Sequence, residues 1–395
     1  MKLRKWQEEA SKRFFKTGPN YSLACNVPTG AGKTFFAITV LKILETHFKN
    51  LNVLIIAPKK VILEKTWLAE LLAFGYTMKD IGIFTGGVKE YARILLTTTA
   101  SVTKINTRMY DMVIADELHY FGTPRLLNII KRPFRFKIGL TATINRSDMK
   151  HWSIYEAFNY HIYSYSIKSA MDDKVLNEFN FTDYKLKLMP NELKYYKILS
   201  DQIAQQLRSI GSYYMFLRLP ATHPGKLKAM KLINERKQFL WNYKLKFDIV
   251  LHLCRIYAHN SKIVVFSQFN KTTDSLKFYL ECERLNVLLV HSNIKDTQRV
   301  EMLRMFEHSD THNIMLATKA LDEGWNLPKI DIGIILAGDS TDKQTIQRLG
   351  RVLRKKNKKS LLFQLSIKET VEEKNAVKRT EFFKTVCNEY EEIEI

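Results

Sequence analysis

Apolar residues alternate along this chain in two rhythms. Short unbroken runs at residues 21–26, 52–57, 81–84, 93–97, 111–115 and 137–140 read as buried strands. Between them, apolar residues fall at helical spacing, over 35–48 (Phe36, Val40, Ile43, Leu44) and over 60–74 (Leu63, Trp67, Leu71). A short helical pattern over 3–15 precedes the first strand. Continuous apolar strands separated by helices predict a mostly parallel sheet covered on both faces. The alternation lapses after residue 150. There the chain is dense in tyrosine over 155–165, alternates over 179–188, and turns helical and basic over 191–245, punctuated by Gly211, Pro220 and Pro224. It resumes near Phe247, with strands predicted at 262–266, 287–290, 313–317, 332–336 and 361–365. The tail from Thr370 reads as helical and ends in an acidic surface helix. The pattern divides the chain into an α/β domain over 1–150, a connector with a basic helical insertion over 151–245, and a second α/β domain over 246–395.

Composition narrows the class. At 395 residues, 46% of them apolar, the chain is long enough for two or three packed cores. No apolar run approaches the ~20 residues needed to span a bilayer, and the start lacks the apolar core of a signal peptide. Cys25, Cys254, Cys282 and Cys387 are scattered and form no C-x-x-C pair. That fits a reducing, cytoplasmic setting and argues against zinc or iron–sulfur sites. The net charge of +22, from 62 basic and 40 acidic residues, points to a polyanionic partner, with simple solubility as the weaker explanation.

The chemistry centres on Val27-Pro28-Thr29-Gly30-Ala31-Gly32-Lys33-Thr34. Lying between a strand and a helix, this run has the context of a phosphate-binding loop. Glycines let consecutive backbone N–H groups turn inward, and the helix N-terminus adds partial positive charge. Thr29, Gly30, Ala31 and Gly32 form the cradle, Lys33 can reach the β- and γ-phosphates, and the Thr34 hydroxyl can hold Mg²⁺. The general pattern has Gly where this chain has Val27. Upstream, Arg4 and Gln7 share a helix face, and a Gln amide can both donate to and accept from an adenine edge.

Asp116 and Glu117 follow a strand end, where ligands of such sheets bind. One carboxylate can hold Mg²⁺ through water while the other orients and deprotonates an attacking water. Thr141 and Thr143 close the next strand with hydroxyls that can relay the state of the phosphates. The second half has no phosphate loop, so its ATP chemistry is shared with the first. Gly324 and neighbouring polar groups follow a strand end, where they can touch nucleic-acid backbone and nucleotide. Arg351 and Arg354, three apart on a predicted helix, project from one face as arginine fingers. In the basic insertion, Tyr213, Tyr214, Phe216 and Trp241 either pack between helices or stack on bases.

The series Arg4/Gln7, Pro-Thr-Gly-Ala-Gly-Lys-Thr, Asp116-Glu117-Leu118-His119, Thr141-Ala142-Thr143 and Gln347-x-x-Gly350-Arg351-x-x-Arg354 resembles the superfamily 2 helicases, over roughly 3–150 and 245–366. It is most similar to the Rad25/XPB-type DNA helicases and the phage branch-migration helicases. The Leu3-Arg4-x-Trp6-Gln7 start and the run Asp322-Glu323-Gly324-Trp325-Asn326-Leu327-Pro328 carry that likeness. Val27 agrees with a family loop that itself lacks the first Gly. The Arg-Glu-Asp motif of XPB-type enzymes is only partly kept in Asn145-Arg146-Ser147-Asp148, and no role is transferred to it.

The resemblance implies two RecA-like parallel-sheet domains in tandem with ATP between them. Gln7 and Arg4 would read adenine, and Gly30, Gly32, Lys33 and Thr34 would hold the phosphates and Mg²⁺. Asp116 would bind Mg²⁺ and Glu117 would activate water. Arg351 and Arg354, assisted by Gln347, would stabilise the transition-state charge. Strand contacts are expected from Pro58, Lys59, the Thr97 and Thr99 hydroxyls, Ser267, Gln268 and Thr318. The implied protein is a monomeric ATP- and Mg²⁺-dependent motor that unwinds or remodels DNA, forked or branched DNA included. Recombination, repair or replication is its setting, and the short chain leans towards a phage or small prokaryotic source. An RNA helicase, a double-strand translocase and an ATP-switched binding platform stay open as alternatives.

Overall fold

The computed structural model describes residues 3–144, 148–318, 329–336, 350, 352–353 and 359–395. It contains two compact units. The first is Met1–Glu178 with the described residues Gly350, Val352 and Leu353, and the second takes the remaining described residues from Phe179 onward.

The first unit is built on β1 (Tyr21–Asn26), β2 (Val53–Ala57), β3 (Ile81–Phe84), β4 (Ile94–Thr98), β5 (Met112–Asp116), β6 (Phe136–Thr141) and β7 (Ile162–Ser164), in the order β3-β4-β2-β5-β6-β1-β7. Every pairing between these strands is parallel. Strands β2, β4, β5 and β6 are buried at every position, as strands covered on both faces must be. One face carries a core of Leu54, Ile56, Leu95, Val113, Leu118, Phe121 and Phe158, among others. Register matters most at the carboxyl ends. Asn26 pairs with Thr141, and Asp116 with Leu140, so the loops leaving β1, β6 and β5 emerge side by side.

Two helices frame that edge. The first, α1 (Lys5–Phe15), buries Trp6, Gln7, Ala10, Ser11 and Phe14. The second, α2 (Lys33–His47), starts from Gly32 and buries Phe36, Ala37, Ile38, Val40, Leu41 and Leu44. The helical pattern over 60–74 is realised in three pieces: Lys60–Ile62, a π-helical turn at Leu63–Trp67, and Leu68–Ala73. Leu63, Trp67 and Leu71 are all fully buried along it.

The second unit repeats the architecture with β8 (Phe179–Leu186), β9 (Ile263–Phe266), β10 (Val287–Val290), β11 (Ile314–Ala317), β12 (Ile332–Ile335), β13 (Ser360–Ile367) and β14 (Glu389–Glu394), in the order β10-β11-β9-β12-β13-β8-β14. These pairings too are parallel. The stretch read from sequence as a connector supplies an edge strand, β7, to the first sheet and an internal strand, β8, to the second. Beyond β8, the helices Pro190–Ile210 and Pro224–Trp241 pack on each other, with the short helix Tyr213–Arg218 between them in the chain.

The acidic tail corrects the expectation of a terminal surface helix. Val371–Lys384 is helical, but Glu389–Glu394 forms β14 and pairs with β8. A row of glutamates on an edge strand discourages a further strand from adding there. Among the described residues no helix is long and apolar enough to cross a membrane.

A buried ion pair ties the second unit together. Lys246 Nζ donates to both oxygens of Glu372, at 2.6 and 2.7 Å, and to the Leu336 carbonyl at 3.1 Å. Burial pushes the Lys246 ammonium pKa down and the Glu372 carboxyl pKa up, each opposed by the other's charge. Removing one partner strands the other in a low dielectric. Lys246→Met should therefore destabilise the second unit by about 3–5 kcal/mol, while Lys246→Met with Glu372→Leu should recover most of that loss. Urea unfolding of the two variants beside the parent measures both quantities.

Candidate nucleotide site and nucleic-acid surface

The loop after β1 is held from both sides. The Val27 N–H donates to the Thr141 carbonyl at 2.8 Å, which fixes the loop's exit beside β6. Gly30 and Gly32 adopt φ of 85° and 89°. A side chain would be strained in either conformation, and at Gly32 a Cβ would also lie 3.0 Å from Gln7 Nε2. Lys33 Nζ donates back to the Val27 carbonyl at 3.0 Å, so the ammonium is folded over the loop it follows.

Three side-chain donors from the start of α1 brace three consecutive carbonyls. Arg4 Nη1 donates to Gly30 at 3.4 Å, Trp6 Nε1 to Ala31 at 3.1 Å, and Gln7 Nε2 to Gly32 at 3.0 Å. Gln7 Oε1 accepts the Arg4 backbone N–H at 2.9 Å. One N–H and one lone pair of the Gln7 amide remain outside these contacts, the pair of functions an adenine edge requires. In the sequence Trp6 figured only as part of the Leu3-Arg4-x-Trp6-Gln7 start, with no role of its own. Its ring packs among Phe36, Tyr163 and Tyr165, with centroids 5.4, 6.3 and 5.7 Å away.

Asp116 ends β5 with both carboxylate oxygens engaged. Oδ2 accepts the Trp67 indole N–H at 2.9 Å and Oδ1 accepts the Glu117 backbone N–H at 2.9 Å. Burial and the adjacent Glu117 carboxylate push the Asp116 carboxyl up to about 6, against the Trp67 bond and the Lys33 charge. Glu117 sits at φ 50° and ψ 56°, in the left-handed region. Such strain in a non-glycine residue persists only where its surroundings enforce it, and it clusters at functional sites. Buried His119 places Nδ1 3.3 Å from Glu117 Oε2 and 3.2 Å from Thr141 Oγ1. The Thr141 hydroxyl donates to the Thr143 carbonyl at 2.8 Å, which assigns a proton to His119 Nδ1. His119 thus stands in polar contact with both Glu117 and the end of β6.

The donor set suits a hard cation shared with phosphate. Thr34 is half-exposed at the first turn of α2, and Asp116 offers carboxylate oxygens. Among the described residues no group of three or more His, Cys, Asp or Glu side chains is arranged to hold a metal ion. A threonine hydroxyl and a carboxylate are hard oxygen donors, of the kind that Mg²⁺ accepts alongside phosphate and water.

The expected strand contacts separate into outward-facing and inward-facing residues. Lys59 is exposed and Pro58 half-exposed beyond β2. Thr97 is fully buried and donates its hydroxyl to the Phe84 carbonyl at 2.8 Å, so it cannot face a strand; Thr99 is half-exposed. In the second unit Ser267 and Thr318 are buried and Gln268 is half-exposed. Thr318 Oγ1 donates to Asn270 Oδ1 at 3.2 Å, and Asn270 Nδ2 donates to Ser292 Oγ at 3.0 Å and Asn293 Oδ1 at 3.2 Å. Asn270 therefore gathers the loops after β9, β10 and β11. Asparagine is so common in loops that nothing in its sequence position marked it.

Of the insertion aromatics, Tyr213 and Tyr214 are exposed while Phe216 and Trp241 are buried packing residues. Gly324, Gln347, Arg351 and Arg354 lie outside the described residues, as does Arg146. Gly350, which stands between Gln347 and Arg351 in the motif, is described. A Cβ there would sit 2.8 Å from the Thr29 carbonyl oxygen, a distance only glycine avoids.

Comparison with known proteins finds family matches in both halves of the chain. Residues 1–146 match the family described as type III restriction enzyme, res subunit, and residues 245–356 match the helicase conserved C-terminal domain. The chain is similar to the DNA 3'-5' translocase XPB2 of Sulfurisphaera tokodaii, 26% identical over 96% of this chain and 85% of that protein. It is 22% identical to the general transcription and DNA repair factor IIH helicase/translocase subunit XPB of Enterocytozoon bieneusi, over 96% of this chain and 61% of that longer relative. In fold it resembles the Pyrococcus furiosus Hef helicase domain, with a TM-score of 0.64 at 17% identity, covering 95% of this chain and 97% of that one. The res-subunit model over 1–146 and the helicase C-terminal model over 245–356, matched in that order, place the chain in the superfamily 2 helicases.

Proposed function

We propose that this chain is an ATP-hydrolysing DNA translocase that unwinds or remodels DNA. The observation that carries the proposal is the grouping, at the level ends of β1, β6 and β5, of a glycine-bent loop with Lys33, the Asp116–Glu117 pair, and the His119–Thr141 contact. The net charge of +22 favours a polyanionic track, and the names of the XPB relatives favour DNA over RNA and 3'-to-5' movement.

ATP with Mg²⁺ would supply the driving reaction, hydrolysis of the terminal phosphate. Gly30 and Gly32 open the loop so that backbone N–H groups can face phosphate, and Lys33 neutralises its charge. Thr34 and Asp116 would hold the cation between protein and phosphate. Glu117, fixed by its backbone conformation and by His119, takes the proton of the attacking water. Arg351 and Arg354, with Gln347, would stabilise the developing negative charge. Pro58, Lys59, Thr99, Gln268 and the Asn270-centred loops are the proposed strand contacts. Tyr213 and Tyr214 add exposed rings for base stacking, with the Arg218 guanidinium 4.2 Å over the Tyr214 ring. Within this reading the motor is monomeric, cytoplasmic and active on forked or branched DNA, in keeping with a role in repair.

Steady-state ATP hydrolysis with matched single-stranded, duplex and forked DNA and with RNA, at fixed salt, tests the proposal. Stimulation by DNA, greatest with forks, is the expected result. Stimulation by RNA alone would replace the substrate and keep the motor, and no stimulation by any of them would leave a binding platform instead. Lys33→Ala should lower turnover roughly 10²-fold or more while DNA affinity stays within about twofold. Normal turnover in that variant would remove the site assignment. Glu117→Gln should retain nucleotide binding but lose hydrolysis to a similar degree, a split visible when equilibrium binding and single-turnover rates are compared.

A further inference from the structure

Trp67 is fully buried, and a buried indole N–H requires an acceptor. Its acceptor is Asp116 Oδ2, while the Glu117 backbone takes Oδ1. Torsion about the terminal bond of an aspartate is soft, so an unheld carboxylate would rotate. Two donors, each 2.9 Å away and each on its own oxygen, fix that rotation. One donor is backbone and cannot be varied by sequence. The other is Trp67.

The position of Trp67 is itself unusual. It closes a π-helical turn, Leu63–Trp67, where the Leu68 N–H bonds to the Leu63 carbonyl. Such i→i+5 turns are rare and concentrate at functional sites. The same helical segment begins at Lys60 with Lys59 as its cap, directly after β2. β2 and β5 are neighbours, with Ile56 paired to Ala115, so the Pro58–Lys59 loop and Asp116 leave adjacent strand ends. One helical segment therefore starts at a proposed strand contact and, about two turns along, sets a tryptophan donor on the carboxylate beside the phosphate loop.

We propose that Trp67 is a positioning residue that orients Asp116 towards the cation and links strand contact at Pro58–Lys59 to that orientation. The inference rests on the ATP-site reading above. It assigns to Trp67 a role that helical periodicity explains only as packing.

The test compares the parent with Trp67→Phe and with 3-benzothienylalanine at position 67, which keeps the bicyclic volume and lacks the donor. Mn²⁺ binding to the ADP complex, followed by electron paramagnetic resonance, reads the cation site without turnover. DNA affinity and the ratio of DNA-stimulated to basal ATP hydrolysis are measured beside it. Loss of the N–H should weaken Mn²⁺ binding roughly tenfold, as loss of an outer-shell partner does. It should also lower the stimulation ratio severalfold, with DNA affinity within about twofold of the parent. If the benzothienyl protein matches the parent in Mn²⁺ affinity or in stimulation, the inference is wrong. A fall in DNA affinity equal to the fall in stimulation also overturns it, because Trp67 would then only brace the loop. A parent that binds no Mn²⁺ with ADP would defeat the ATP-site reading itself, an outcome distinct from normal binding by both parent and variants.

Discussion

Parallel pairing of β1, β6 and β5 is the constraint on which the site depends. In a parallel ladder all strands end on the same side, so the turns that follow them must share one edge. Because Asn26 aligns with Thr141 and Asp116 with Leu140, no strand overshoots its neighbours by more than a residue. Neighbouring strands lie about 4.8 Å apart, which sets the loop after β1 and the carboxylate after β5 roughly 10 Å from each other across β6. That span leaves room for phosphate and a cation, and β6 fills its floor with Thr141. A one-residue slip in either pairing would turn Asp116 into the core or carry the phosphate loop past it.

Register alone would not hold a glycine-bent loop in one shape. Its carbonyls face away from any phosphate, and carbonyls without donors near a packed interior are costly. The first turn of α1 answers this with Arg4, Trp6 and Gln7, each donating to a successive carbonyl of the loop. The N-terminal helix is thereby coupled to the conformation of the loop as well as to the nucleotide proposed to lie against Gln7. Any change in the loop must break or move those three bonds together, which makes α1 part of the site.

Much of this was legible in the sequence, for reasons that differ from residue to residue. The glycine-bent loop could be placed because its glycines, lysine and threonine fall between a predicted strand and a predicted helix. The acid pair could be read because a strand end is where such a sheet binds. Thr97 came from the resemblance, whereas β4 is covered on both faces and turns that hydroxyl inward to the Phe84 carbonyl. The strand β14 was hidden by its own glutamates, which suit an edge strand but resemble a solvated helix. Trp67 was counted as an apolar residue at helical spacing, and Trp6 only as one position of the Leu3-Arg4-x-Trp6-Gln7 start. Periodicity registers the ring and is blind to the one N–H that each spends on a polar partner.

Those two tryptophans show how a packed interior can reach into a polar site without losing density. Each ring is fully buried, and each donor is aimed at an acceptor on the nucleotide side of the sheet: the Ala31 carbonyl for Trp6 and the Asp116 carboxylate for Trp67. A lysine could supply the same hydrogen bonds only by bringing a charge into a low dielectric, and a serine would leave a void. Asp116 and Glu117 meanwhile repel each other in a buried setting, and Glu117 holds a strained backbone. Both features raise the energy of the site, and under the proposed reading a cation between the carboxylate and the phosphate loop would relieve the repulsion that burial creates. Local instability of this kind gives binding a large differential effect on the loop, which is what a domain needs if nucleotide state is to change how it meets a nucleic-acid strand.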